Sequence, residues 1–352
     1  MQPQYLIIGQ GIAGTLLSYM LWKHNRSFLV IDEPHNIPKA SLVAGAVINP
    51  VNVNQWTVRA DHQHYIRTAL ETYQSMEETL GISLIREMAM LVFHEDEHKR
   101  QLYDKVGLLQ PGYVQQPDYA ETILSRRLFR YKYGAGKVAP VWKINAGELL
   151  SGWSAFLESK GLLIQEYCNP EECKLTSKGV RYKDIIAEKI IFCEGAAAVH
   201  NPFFSKLPFN RNRGEALLLS VPDLSAAYAY HSTIRLVPAE GNLFWCGSNY
   251  RWQFDDLLPD QSWRLKTETT LRQWLTINFK VLDHMVAERP TTAGQHFFAG
   301  MHPALPSVAI FNGLGTKGFS YGPALCRALY GQLIDPNQPV TSPGTPLQHW
   351  LK

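Results

Sequence analysis

The sequence predicts an α/β protein in which a doubly wound nucleotide-binding domain, discontinuous along the chain, carries an inserted antiparallel-sheet domain. Three observations predict it. The first 32 residues read as strand, glycine turn, helix and strand, ending on an acid. Farther on, the alternation of strands and helices twice yields to short strand-like runs and twice resumes. The chain's 352 residues also exceed the ~250 to 300 at which a single core stops growing, so two core regions are expected.

In the first unit, the apolar run Tyr5 to Ile8 precedes Gly9-Gln10-Gly11-Ile12-Ala13-Gly14. Leu16, Leu17, Met20 and Leu21 then recur at helical spacing towards Asn25, and Phe28 to Ile31 runs apolar up to Asp32 and Glu33. Asp32 lies 18 residues past Gly14, near the ~20 of a Rossmann-like dinucleotide fingerprint. Gly9 permits the tight turn, Gly11 lets a pyrophosphate approach the backbone, and Gly14 lets helix and strand pack closely. The helix start at Ile12 and Ala13 faces the phosphates. Asp32 accepts hydrogen bonds from ribose hydroxyls, and its charge disfavours a 2′-phosphate. The unit predicts dinucleotide binding without separating FAD from NAD.

Residues 40 to 50 are small and turn-prone, after which Tyr65, Ala69, Tyr73, Met76 and Leu80 mark a long helix closed by Gly81. Residues 83 to 141 alternate apolar runs with Gly and Pro, as in hairpins or an irregular cap. Leu149, Leu150, Trp153, Phe156 and Leu157 predict a helix ending at Gly161. Strands follow at Leu162 to Ile164 and Ile190 to Cys193, the latter running into Glu194 and Gly195. Runs at Ala216 to Val221, Thr233 to Val237 and Leu243 to Gly247 precede a helix with Leu271, Trp274, Leu275 and Phe279. This pattern assigns 1–82, 142–212 and 288–352 to the nucleotide domain, and 83–141 and 213–287 to a substrate domain.

Two motif matches read less simply than they look. Gly313-Leu314-Gly315-Thr316-Lys317-Gly318 follows the apolar Val308 to Phe311 and precedes a helix, but Asp335 directly follows that helix with no strand between, and Pro336, Pro339, Pro343 and Pro346 occupy the tail. What remains is a glycine loop at a helix start, suited to an anion or an electron-rich ring edge and expected to belong to the first site. His94-Glu95-Asp96-Glu97-His98 matches HExxH, yet it follows a strand-like run, its acids suit an exposed first helical turn, and no third ligand is near, so no metal is expected.

Charge points to no partner. The 34 Lys and Arg against 31 Asp and Glu leave a formal +3, too little to imply nucleic acid or membrane. The basic, aromatic stretch Arg126 to Tyr133 would suit RNA, but alternation there more simply predicts a strand with a charged outer face, and nucleic acid is not expected. Five cysteines without paired short spacings predict a reducing, cytoplasmic setting, and no apolar run approaches the ~18 to 20 residues of a membrane span.

Taken together, GQGIAG with Asp32, the ASLVAGAVINP stretch, the IIFCEGA strand end, AERPTT around Arg289 and the late FNGLGTKG resemble the D-amino-acid oxidase family of FAD-dependent oxidoreductases, particularly glycine oxidase and the oxidoreductase domain that processes carboxymethylaminomethyl-uridine in tRNA. The resemblance spans essentially the whole chain. It implies FAD as cofactor, with Gly9, Gly11, Gly14, Asp32 and Glu33 at its ADP half, Ser41, Ala44 and Gly45 along the pyrophosphate and flavin, Gly195 bordering the cofactor, and Gly313 to Gly318 at the flavin pyrimidine edge. Lys317 there stabilises reduced flavin. The resemblance also implies that Arg289 clamps a substrate carboxylate bidentately.

No second nucleotide module is recognisable, so the small molecule itself is expected to be the reductant, with oxygen or a quinone as the final acceptor. The expected reaction is oxidation of a carboxylate-bearing amine, an amino acid or N-substituted glycine, by hydride transfer to flavin N5, with hydrolysis of the imine. Tyr250 is expected over the pocket, in reach of substrate. A 2-hydroxy-acid or polyol-phosphate dehydrogenase is the alternative among enzymes. A non-catalytic flavin-binding subunit is the alternative from another class, raised by the unusual Thr292-Ala293-Gly294 after Arg289.

Overall fold

The computed structural model describes residues 1–33, 39–109, 112–335 and 347–351; the four tail prolines from Pro336 to Pro346 lie outside them. A six-stranded sheet runs in the order Phe298–His302, Leu305–Asn312, Lys189–Phe192, Tyr5–Ile8, Phe28–Asp32, Leu163–Gln165. Only the pairing of Phe298–His302 is antiparallel; the others are parallel. Tyr5–Ile8 is buried at all four positions because both faces of the sheet are covered. Tyr5 and Ile7 enter a core shared with the helices Ile12–Lys23, His62–Leu80, Ala146–Ser159 and Gly318–Ile334, while Leu6 and Ile8 enter a second core under the small sheet Lys174–Thr176, Gly179–Tyr182, Ile185–Ala187. Gly81 closes His62–Leu80 in the left-handed conformation at φ +68°, as its position in the sequence predicts.

The second large sheet is ordered Lys280–Arg289, Asn212–Ser220, Leu243–Gly247, Arg235–Pro238, Tyr228–His231, Ile85–Phe93, Ala135–Ile144, Val47–Ile48, with Val114–Gln115 also on Ala135–Ile144. Its pairings are antiparallel except one. Tyr228–His231 lies parallel to Ile85–Phe93, and that ladder joins strands from two distant stretches of chain into one sheet. Alternation again divides the faces: Leu91 and Phe93 pack with Leu217, Leu219 and Trp274, whereas Met88, Met90 and Val92 pack with Trp56 and Tyr103.

Several local expectations are corrected. Arg126 and Arg127 close the helix Tyr119–Leu128, whose N-terminus carries a reciprocal Asp118–Glu121 capping box, so the cap sets a helix where alternation suggested a strand. The helix containing Leu271 stops at Trp274, leaving Leu275 as its C-cap and Phe279 outside. Strands Lys280–Arg289 and Phe298–His302 form where the sequence showed no clear run, and Arg289 ends a strand. The HExxH residues straddle a helix start: Asp96 caps Glu97–Lys105 by accepting from Lys99 N, and His94 lies before it, buried against Trp56 and Tyr103. Among the described residues no helix is long and apolar enough to cross a membrane.

Trp153 anchors the helical core. It is fully buried, stacks on Phe156 at 4.8 Å and donates from Nε1 to Ser18 Oγ at 2.7 Å. Trp153→Ala is expected to lower stability by ~3–5 kcal/mol, read as a fall in the urea midpoint. Burial pushes His94 down to about 4 and His231 to about 3. The unfolded chain therefore binds protons that the folded chain refuses between the usual histidine range and those values. Stability should fall as pH drops from about 6.5 towards 4, each histidine contributing a slope of up to ~1.4 kcal/mol per pH unit. Urea titrations at pH 7, 6 and 5 check this, and His94→Leu or His231→Leu should flatten the dependence.

Candidate active site

The two sheets enclose a cavity of about 1230 Å³, above the ~300–1,000 Å³ of ordinary small-molecule pockets. One end is the glycine turn. Gly9 adopts φ +97°, and a Cβ there would lie 2.5 Å from Cys193 O; a Cβ on Gly14 would lie 1.8 Å from Gly9 O. Both positions therefore require glycine. Gly14 stays behind the turn, while Gly9, Gly11, Ile12 and Ala13 line the cavity. The helix Ile12–Lys23 begins at Gly11 without a side-chain cap, so its first N–H groups face the cavity, with only Ile12 N engaged by Ser41 Oγ at 3.0 Å. That arrangement fits a pyrophosphate.

Asp32 and Glu33 also line the cavity. Asp32 Oδ1 accepts from Gln10 N at 2.8 Å, which couples the second strand to the glycine turn, and Oδ2 pairs with Lys39 at 2.5 Å. Sequence reasoning missed Lys39. Ser41, Ala44 and Gly45 form the next stretch of wall. Trp245 Nε1 donates to Val43 O at 2.8 Å, and Lys143 Nζ donates to Gly45 O at 3.0 Å, so the antiparallel sheet straps this segment in place. Burial pulls Lys143 down to about 8.

The late glycine loop reaches the same cavity. Leu314, Gly315, Thr316, Lys317 and Gly318 line it; Gly313, at φ +73°, packs behind, where a Cβ would approach His296 O at 2.9 Å. Gly318–Ile334 also starts without a side-chain cap, and a Cβ on Gly318 would meet Ile12 Cγ2 at 2.9 Å. Two uncapped helix starts thus converge on one cavity. Gly195 lines it beside Glu194, and its carbonyl accepts from Asn312 Nδ2 at 2.9 Å. Burial raises the Glu194 carboxyl to about 7 against an opposing hydrogen bond from Asn201.

Arg289 enters from the antiparallel sheet. Nη1 donates to Asn212 Oδ1 at 2.6 Å and Asn249 O at 3.1 Å, and the guanidinium lies flat over Gly214, where any Cβ would sit 1.9 Å from Nη2. Tyr250 stacks under it at 4.7 Å while remaining 58% exposed. Glu215, fully buried, accepts from Asn249 Nδ2 at 3.0 Å and thereby orients the peptide that holds Arg289. Asn212, Gly214, Glu215 and Asn249 were invisible to motif reasoning because their roles arise only from strand pairing. Burial lowers the pKa of Lys317, and Arg235 and Arg59 lower it further. Lys317 opens on the cavity, so its surface stays accessible although protein surrounds it. His302 caps a turn through Ala304 N, away from the cavity.

The chain matches the family model DAO, FAD dependent oxidoreductase, over residues 4–331. Its fold is similar to glycine oxidase from Geobacillus kaustophilus, at 16% identity and TM-score 0.81, covering 100% of this chain and 98% of that one. It is also similar to iminodiacetate oxidase from Chelativorans sp. BNC1, at 20% identity and TM-score 0.75 with 98% of each chain covered. L-proline dehydrogenase from P. horikoshii matches at 14% identity and TM-score 0.76, covering 97% of this chain and 95% of that one. The glycine cradle, the paired helix starts and the length of the family match agree: the chain belongs to the DAO family of FAD-dependent oxidoreductases.

Proposed function

We propose that this enzyme oxidises a small amine bearing a carboxylate, an amino acid or N-substituted glycine, at the carbon between the two groups. The carrying observation is Arg289, held flat on Gly214 and lining the cavity that the two helix starts share. Gly9, Gly11 and the N–H group of Ala13 would hold the pyrophosphate, with Gly14 behind them and Ile12 N donating to Ser41 Oγ beside them. Asp32 and Glu33 hold the ribose, and Ser41, Ala44, Gly45, Gly195 and the Gly313 to Gly318 loop border the ring. Segments 1–82, 142–212 and 288–352 then form the cofactor domain, and 83–141 and 213–287 the substrate domain.

Bound FAD supplies the two-electron acceptor, and the imine product is hydrolysed. Lys317 and the Gly318 helix start add positive charge that favours an anionic reduced acceptor over a neutral one. Arg289 fixes the carboxylate, and with it the orientation of the neighbouring C–H bond. Tyr250 covers the apolar face of that guanidinium. The same cations repel an ammonium, so the amine is held neutral with its lone pair free, and no side-chain base is assigned.

Anaerobic titration of the FAD-loaded protein with glycine derivatives, D- and L-amino acids and 2-hydroxy acids tests this reading. Amines should bleach the oxidised flavin band, and bleaching by hydroxy acids alone would sink it. Arg289→Ala should lower kcat/KM by ~10²–10³-fold with FAD retained, as expected for losing a buried charge-assisted contact. Gly214→Ala should act in the same direction through KM by displacing the guanidinium. The acidic limb of the pH–rate profile should lie below the free amine's own pKa; a limb at that pKa would show that the cations do not set its protonation.

A further inference from the structure

Arg235 opens the strand Arg235–Pro238 and lines the same cavity. It pairs with Gly247, which pairs with Ala216, two residues from the Gly214 on which Arg289 lies. Side-chain alternation therefore sets both arginines on one face of the sheet. Gly214, Ala216 and Ala287, all small and all lining the cavity, leave the floor between them open.

Two of the other arginines that line the cavity have anionic partners. Arg59 has Asp61 at 2.7 Å and Arg211 has Glu288 at 2.6 Å. Arg289 is held by neutral oxygens. Among the described residues the Arg235 guanidinium has no acid and no acceptor, and its enclosed Nε is unpartnered. Desolvation lowers its pKa, and its charge in turn depresses that of Lys317, which lines the same cavity. Arg235 is half-buried with its Nε enclosed, and a guanidinium partly withdrawn from water without a counter-ion carries a penalty that an anion arriving from solution offsets.

We infer that the substrate carries a second carboxylate, bound by Arg235 while Arg289 holds the first. This rests on the proposed oxidation of a carboxylate-bearing amine and narrows it to dicarboxylic amines. The competing explanation is that Arg235 serves the cofactor, and the test separates the two.

FAD-loaded protein is titrated with the non-oxidisable dicarboxylates malonate, succinate and glutarate, and with acetate, propionate and butyrate, following perturbation of the flavin spectrum and calorimetric heat. The best dicarboxylate should bind ~10–100-fold tighter than the best monocarboxylate, the scale of one added charge-assisted hydrogen-bonded pair. Arg235→Met should bring that ratio close to one, and Arg235→Lys should restore it in part. A ratio near one in the unmodified protein overturns the inference, as does an Arg235→Met protein that loses FAD affinity but keeps the ratio. Because binding is read without turnover, a preserved preference with no amine bleaching the flavin would sink the proposed reaction and leave the two-anion site standing.

Discussion

The close approach of Gly14 to the carbonyl of Gly9 is the constraint on which the site depends. The would-be Cβ of Gly14 lies 1.8 Å from that oxygen, and the would-be Cβ of Gly9 lies 2.5 Å from the carbonyl of Cys193. Two missing methyl groups thus let the first strand's turn, the first helix and the end of Lys189–Phe192 occupy one small volume. Had the helix stood farther off, its free N–H groups would not open on the cavity, and Gln10 N would not be placed to donate to Asp32. Because the free N–H groups belong to the backbone, side-chain changes elsewhere leave their direction intact.

The second glycine loop depends on the first. Gly318 packs against Ile12, so the start of Gly318–Ile334 is positioned by the helix that begins the nucleotide unit. Each start contributes roughly half a positive charge, and both fall on the same cavity. The opposite wall belongs to the antiparallel sheet, which grips the intervening segment through Trp245 to Val43 and Lys143 to Gly45. The parallel ladder between Tyr228–His231 and Ile85–Phe93 makes that wall one sheet. Cofactor cradle and substrate wall are consequently tied by hydrogen bonds at the 43–45 segment.

What the sequence discloses and what it hides follow from the range of the forces involved. The strand, turn and helix at Tyr5 to Lys23 are legible because every requirement is local: apolar alternation, a glycine at each tight place, an acid at a fixed distance. The Gly313 to Gly318 loop is legible as an anion-favouring helix start for the same reason. Lys280–Arg289 is not, because a strand whose residues are half exposed and include Lys280, Asp283, His284 and Glu288 carries no apolar alternation; its ladder with Asn212–Ser220 creates it. The family resemblance singles out Arg289, but nothing local in the sequence announces the residues that hold it. Asn212 and Gly214 are 77 and 75 positions away, and only register places one beside and the other beneath the guanidinium. Arg126 to Tyr133 misled for the converse reason: its alternation was real, and a local capping box at Asp118 outweighed it.

The distribution of charge explains why one wall can hold so many cations. Arg211, Arg213 and Arg251 each sit beside a carboxylate, at distances of 2.6 Å, 3.5 Å and 3.0 Å, so the charge of these three is neutralised within the protein. Those pairs fix geometry and leave little field for a ligand. Arg289, Arg235 and Lys317 differ: neutral oxygens hold Arg289, Lys317 lies over the Tyr321 ring, and among the described residues Arg235 Nε has no acceptor. Desolvation lowers the pKa of all three, and Arg235 and Arg59 lower that of Lys317 further, so their charged forms cost folding stability. A ligand that binds only the folded state recovers that penalty as affinity. Positive charge concentrated on one cavity without internal counter-ions favours anionic groups there, and it would also favour negative charge on a reduced FAD held beside it.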